Sequence, residues 1–92
     1  MRQFELEWSQ KNEEHIARHQ VSRQEVEEAV SSSSAYVLRG PGKGLYVVLG
    51  TTDSGRYLKV ILRVKATKTA FVITALDMNV ADRALYRKKR RG

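Results

Sequence analysis

Phe4, Leu6 and Trp8 alternate with Glu5 and Glu7, and a period of two places the three large apolar side chains on one face of a short strand. Ser9 then supplies an N-cap for a helix over Gln10–His19, in which Asn12, His15, Ile16 and His19 share one face. Gln20 and Val21 break that helix. Ser22 with Glu25 forms a capping box, and Val21 with Val26 fills the two positions of a hydrophobic staple, so a second helix starts near Arg23. Its apolar stripe is Val26, Ala29 and Val30, and the serine run Ser31–Ser34 ends it. From Ala35 the pattern becomes that of strands: Tyr36–Arg39, a glycine-rich turn at Gly40–Gly44, Leu45–Leu49, a hairpin loop at Gly50–Gly55, the long strand Arg56–Lys65, a tight connection at Lys65–Lys68, and Thr69–Leu76. Such short connections predict an antiparallel meander. Asn79 is an N-cap for a last helix through Tyr86. The order β-α-α-β-β-β-β-α predicts an α+β fold: an antiparallel sheet of about four strands, packed by two N-terminal helices and one C-terminal helix. Residues 1–86 form the single compact domain and residues 87–92 a basic tail.

Composition narrows what this fold can do. The chain has 92 residues, enough for one modest core and too few for a separate cofactor domain. It has no cysteine, which excludes a disulfide framework, thiolate zinc, iron–sulfur ligation and a cysteine nucleophile. Met1–Trp8 lacks the apolar core of a signal peptide or membrane span, so a cytoplasmic protein without membrane contact is expected. The formal net charge of +7 is unevenly placed. Residues 1–28 carry Arg2, Lys11, Arg18 and Arg23 against seven glutamates, whereas residues 29–92 carry thirteen basic residues against Asp53, Asp77 and Asp82. That asymmetry suggests nucleic acid as a partner of the second part, with a merely solubilising surface as the alternative.

The long strand is two-faced: Leu58, Val60, Leu62 and Val64 point one way, and Tyr57, Lys59, Ile61, Arg63 and Lys65 the other. Cations two residues apart on a strand stand about 6.5–7 Å apart, near the spacing of successive phosphates on an extended single strand; a solvated sheet face has the same pattern. Tyr46 and Tyr57 offer surfaces for stacking unpaired bases, or cover the edge of the core. Arg87, Lys88, Lys89, Arg90 and Arg91 either continue the last helix along a phosphate backbone or form a solubilising end. His15 and His19, four apart, have the spacing of a metal pair without an evident third ligand; packing histidines are the commoner reading, acid–base work the third. Gly40–Gly44 is not a Walker loop, because Gly44 follows Lys43 where Ser or Thr would hold magnesium. No metal or other cofactor is expected.

The run Leu6-Glu7-Trp8-Ser9, Asn12, His15 through Ser22, and Glu25-Val26-Glu27-Glu28-Ala29 resembles the N-terminal signature of BrnT-like toxins. These belong to the RelE/ParE-type group of type II toxin–antitoxin systems. The Gly50–Gly55 hairpin, the Phe71–Ala75 strand and the segment Met78-Asn79, Asp82-Arg83, Tyr86 extend the resemblance over nearly the whole chain. It implies a RelE-like fold and a metal-independent endoribonuclease that cleaves messenger RNA. It also implies neutralisation by a cognate antitoxin encoded beside it, with DNA bound only through the toxin–antitoxin complex. In such chemistry the RNA 2′-hydroxyl attacks the neighbouring phosphate, and clustered Arg, Lys, Tyr and Glu position the backbone, stabilise charge and move protons. The chain departs from the family pattern at Gly42-Lys43-Gly44-Leu45, where an acid and an arginine are usual, and at Thr74-Ala75-Leu76, where Ser-Ala-Arg is usual. The expected catalytic surface is therefore Lys59, Arg63, Tyr46, Arg56 and Tyr86, with Trp8, Lys43, Tyr57, Lys65 and Arg87–Arg91 binding nucleic acid. The alternative is a catalytically weakened homologue that binds nucleic acid or a partner without cleavage, and a generic basic RNA-binding domain is a third reading.

Overall fold

Local signals start the helices where the sequence predicts. The Ser9 side chain accepts from the Asn12 amide, and Ser22 and Glu25 make both bonds of a capping box; each satisfies amides that the first helical turn leaves unpaired. The computed structural model describes residues 5–66 and 69–91, so Phe4 and the Thr67–Lys68 part of the last predicted connection lie outside the described residues. The elements are β1 (Glu5–Glu7), α1 (Gln10–Ala17), α2 (Arg23–Ser31), β2 (Tyr36–Arg39), β3 (Leu45–Thr51), β4 (Tyr57–Ala66), β5 (Thr69–Asp77) and α3 (Val80–Arg91). α1 is shorter than predicted, because the chain turns through Gln20 at φ 60°, a left-handed conformation that no helix continues. The predicted tail is not separate: residues 87–91 are the last turns of α3.

The α+β class stands, and the sheet is larger than expected. Five strands lie in the order β1-β5-β4-β3-β2. β2 to β5 form the predicted antiparallel meander, but β1 joins the edge parallel to β5, pairing Leu6 with Ala70 and Glu7 with Phe71, which makes the sheet mixed. The intervening α1, α2 and three strands provide the long return that a parallel pair requires.

Each sheet face has its own apolar cluster. α1 and α2 cover one face, where Ile16, Val26, Ala29 and Val30 meet Val48, Leu58, Val60, Leu62, Val72 and Ala75. α3 covers part of the other, where Leu49, Met78 and Tyr86 are buried with Tyr36, Leu38, Val47, Tyr57 and Leu85 around them. α3 is held at its start by Asn79 and Asp82, each accepting the other's backbone N–H. No helix among the described residues is long and apolar enough to cross a membrane.

Candidate nucleic-acid interface

Strand register decides which side chains can act together. Antiparallel partners share a face, so the pairs Leu45–Arg63, Val47–Ile61, Leu49–Lys59 and Thr51–Tyr57 lie on the face away from α1 and α2. Across the other edge of β4, Arg63 pairs with Phe71, Ile61 with Thr74 and Lys59 with Leu76. α3 packs on β2 and β3, which leaves the far half of this face open. There Arg63 and Lys65 are exposed, Ile61 is half-buried and Phe71 is 36% exposed. The Lys65 Nζ stands 5.8 Å from the centre of the Phe71 ring and 3.3 Å from a Glu7 carboxylate oxygen. Arg63 donates to the carbonyl of Lys43 at 3.4 Å, bringing the exposed Lys43 loop to the same end of the sheet.

The structure gathers Arg63, Lys65 and Lys43 and disperses the rest of the predicted site. Tyr46 pairs with Leu62, so it lies on the helix-covered face, half-buried, with the Arg39 guanidinium 6.0 Å from its ring centre. Tyr86 is 1% exposed; its hydroxyl is 2.5 Å from Ser34 Oγ and 2.6 Å from Thr51 Oγ1, which makes it the buried anchor of α3 and keeps it from any substrate. Tyr57 packs edge-on against Tyr86 at 5.8 Å, and the Arg83 guanidinium covers its ring at 5.1 Å. Lys59 reaches the Asp82 carboxylate of α3 at 3.4 Å with both side chains largely buried, so its charge is matched within the fold, unlike that of the solvent-exposed Lys65–Glu7 pair. Trp8 donates its indole N–H to Glu27 at 2.8 Å, with Arg23 over the ring at 5.4 Å, and so docks β1's end on α2. On α3, Arg87, Lys88 and Lys89 are exposed, and the Lys89 ammonium stands 5.6 Å from the Tyr36 ring centre. Arg90 and Arg91 belong to the same helix, and their side chains lie outside the described residues.

Arg56 is a clamp. It donates to both carboxylate oxygens of Asp77 at 2.8 and 3.2 Å, to both of Glu25 at 3.2 Å, and to the Gln20 carbonyl at 2.7 Å. It thereby ties the start of β4 and the end of β5 to the elbow between α1 and α2. The Ser22 backbone N–H, with Arg56 helping, holds the Glu25 carboxyl below its ordinary pKa, and the Arg56 hydrogen bonds do the same for Asp77. Depressed carboxyl pKa values mean that the folded state binds fewer protons than the unfolded one. Their contribution is therefore complete above the ordinary carboxylate range and is lost as pH falls through the lower folded values. Arg56→Ala is expected to cost about 1–2 kcal/mol near neutrality, discounting for partial exposure. It should also flatten the loss of stability below about pH 4; urea titrations of both proteins from pH 7 to 2.5 measure this.

His15 and His19 are both exposed, 6.0 Å apart edge-to-face. That corrects the packing reading, because Asn12 and Ile16 alone turn α1's buried side to the core. Among the described residues no group of three or more His, Asp or Glu is placed to hold a metal ion. The residue that sequence reasoning missed is Phe71, since only the pairing with Arg63 and Glu7 shows that this aromatic sits among the cations.

What the fold and surface define is a small α+β protein: a mixed five-stranded sheet with two helices on one face, one across half of the other, and a basic, partly apolar half-face left open. No protein-family model matches the chain, and no curated protein matches it.

Proposed function

We propose that this chain is the toxin component of a type II toxin–antitoxin pair, a RelE-like cytoplasmic protein whose open half-sheet holds single-stranded RNA. The observation that carries the reading is the juxtaposition of Arg63, Lys65 and Lys43 around the half-buried Ile61 and the exposed Phe71. Cations track a phosphate backbone, and an aromatic ring between them accepts a base, which is how unpaired strands are bound with little sequence demand. The resemblance to BrnT-like toxins supports the same target and supplies the cognate antitoxin as the protein partner.

In the cleaving form of this proposal the 2′-oxygen bonds to the adjacent phosphorus and the bond from phosphorus to the 5′-oxygen breaks. The products are a 2′,3′-cyclic phosphate and a 5′-hydroxyl, with one proton leaving the 2′-hydroxyl and one reaching the departing oxygen. The Arg63 guanidinium is the group suited to the charge that develops on the phosphate. A second reading, binding without cleavage, is favoured by a specific observation: Arg56 and Lys59 are already matched by carboxylates, and Tyr86 is buried.

One experiment tests both. End-labelled single-stranded RNA is incubated with the purified protein in EDTA, binding is followed by anisotropy, and fragments are read on a gel. The proposal predicts salt-sensitive binding that Arg63→Ala weakens about tenfold, with a salt slope about one unit shallower. Fragments ending in a cyclic phosphate support the nuclease, bound but intact RNA supports the second reading, and absence of RNA binding at low salt overturns both.

A further inference from the structure

Past Glu7, β1 ends and the outer edge of β5 loses its strand neighbour. α1 takes that place: the buried Asn12 amide donates to the Val72 carbonyl at 2.9 Å, standing in for a strand's N–H. The register of β4 against β5 slips at Ile61/Leu62, inserting Ile73 as an unpaired residue at this point. Along this edge helix and strand do not close on each other. They leave a recess of about 210 Å³ lined by Lys11, Asn12, His15, Phe71, Val72 and Ile73.

We propose that this recess receives one unpaired base of an RNA strand lying on the open half-sheet, with Phe71 as its stacking platform and Lys11 and His15 at its rim; the inference rests on the RNA-binding reading above. Three observations argue for that occupant. The size fits one heterocycle: an apolar cavity of about 150 Å³ already holds a benzene ring. The lining is mostly apolar, as a base face requires, while Lys11 and His15 are exposed at its mouth. A lysine donor and an imidazole, which both donates and accepts, suit a base edge or its phosphate. Finally, Phe71 belongs to both features. Phe71 lines the recess, pairs in register with Arg63 and has the Lys65 ammonium 5.8 Å from its ring centre, so a backbone held by those two cations delivers a base beside the recess. Asn12 is wall rather than ligand, because its amide is bonded to Val72 and its oxygen to Ser9.

The test compares binding of a labelled single-stranded hexaribonucleotide and of its abasic counterpart to wild type, Phe71→Leu, Lys11→Ala/His15→Ala and Arg63→Ala, at two salt concentrations. Phe71→Leu keeps an apolar side chain at a partly exposed site, so circular dichroism should show an unchanged fold. The inference expects Phe71→Leu to weaken the base-bearing strand about fivefold or more, at both salt concentrations, and to leave the abasic strand unaffected. The Lys11→Ala/His15→Ala protein should lose a similar factor. Tight wild-type binding that Arg63→Ala weakens while either Phe71→Leu or Lys11→Ala/His15→Ala leaves it unchanged overturns the recess alone. Absence of wild-type binding overturns the RNA reading beneath it.

Discussion

Replacing Tyr86 with alanine is expected to cost about 3–5 kcal/mol, a large part of the stability of a domain this size. Two effects add. The ring is 1% exposed and fills the space between α3, Leu49, Met78 and the Tyr57 ring, so its removal leaves a cavity beneath the helix. Its hydroxyl is shared by Ser34, before β2, and Thr51, at the end of β3, both of which lose that partner. Tyr86→Phe separates the two effects, since it keeps the volume and should cost about 1–2 kcal/mol. Urea unfolding followed by circular dichroism measures both. A Tyr86→Ala midpoint near wild type would show that α3 is not anchored by this residue.

Gly50→Ala should be similarly damaging for the opposite reason. A methyl group built at Gly50 would lie 2.1 Å from the Ala29 carbonyl oxygen and 2.8 Å from its carbon. Both are backbone atoms of α2, so relief requires the whole helix to move off β3, at about 3 kcal/mol or more. Gly55→Ala is the informative control. Gly55 has φ 92° with nothing within 4 Å of the added carbon, so only backbone strain, about 1–2 kcal/mol, is expected there. Equal losses at the two glycines would refute the close approach of α2 to β3.

Features encoded by neighbouring residues were legible in the sequence, and those encoded by partners far along the chain were not. Ser22 and Glu25 sit three apart, so the start of α2 could be read directly. The two-faced character of β4 follows from alternation within a single strand; Leu58, Val60 and Leu62 are buried as read, and Val64 partly so. Tyr46 shows where this stops. Alternation within β3 does not say whether it faces Leu62 or Arg63, and a one-residue difference in register decides. Charge counts had the same weakness. Arg56 and Lys59 read as free cations until Asp77, Glu25 and Asp82 arrive from other elements. The parallel place of β1 and the exposed ring of Phe71 likewise depend on which strand comes to lie beside which.

The pairing of β1 with β5 also bears on how the sheet closes. Among the described residues β5 is β1's one strand neighbour in the sheet, so a fragment ending before Thr69 loses that backbone ladder and keeps β1 by side-chain contacts such as that of Trp8 with Glu27. Sequence-distant pairings of this kind must meet their loop-closure cost before they reward it. Phe71 lies on the same strand, β5. The Phe71 ring meets the β4 cations within the β4–β5 pairing, whereas the recess also needs α1 against β5.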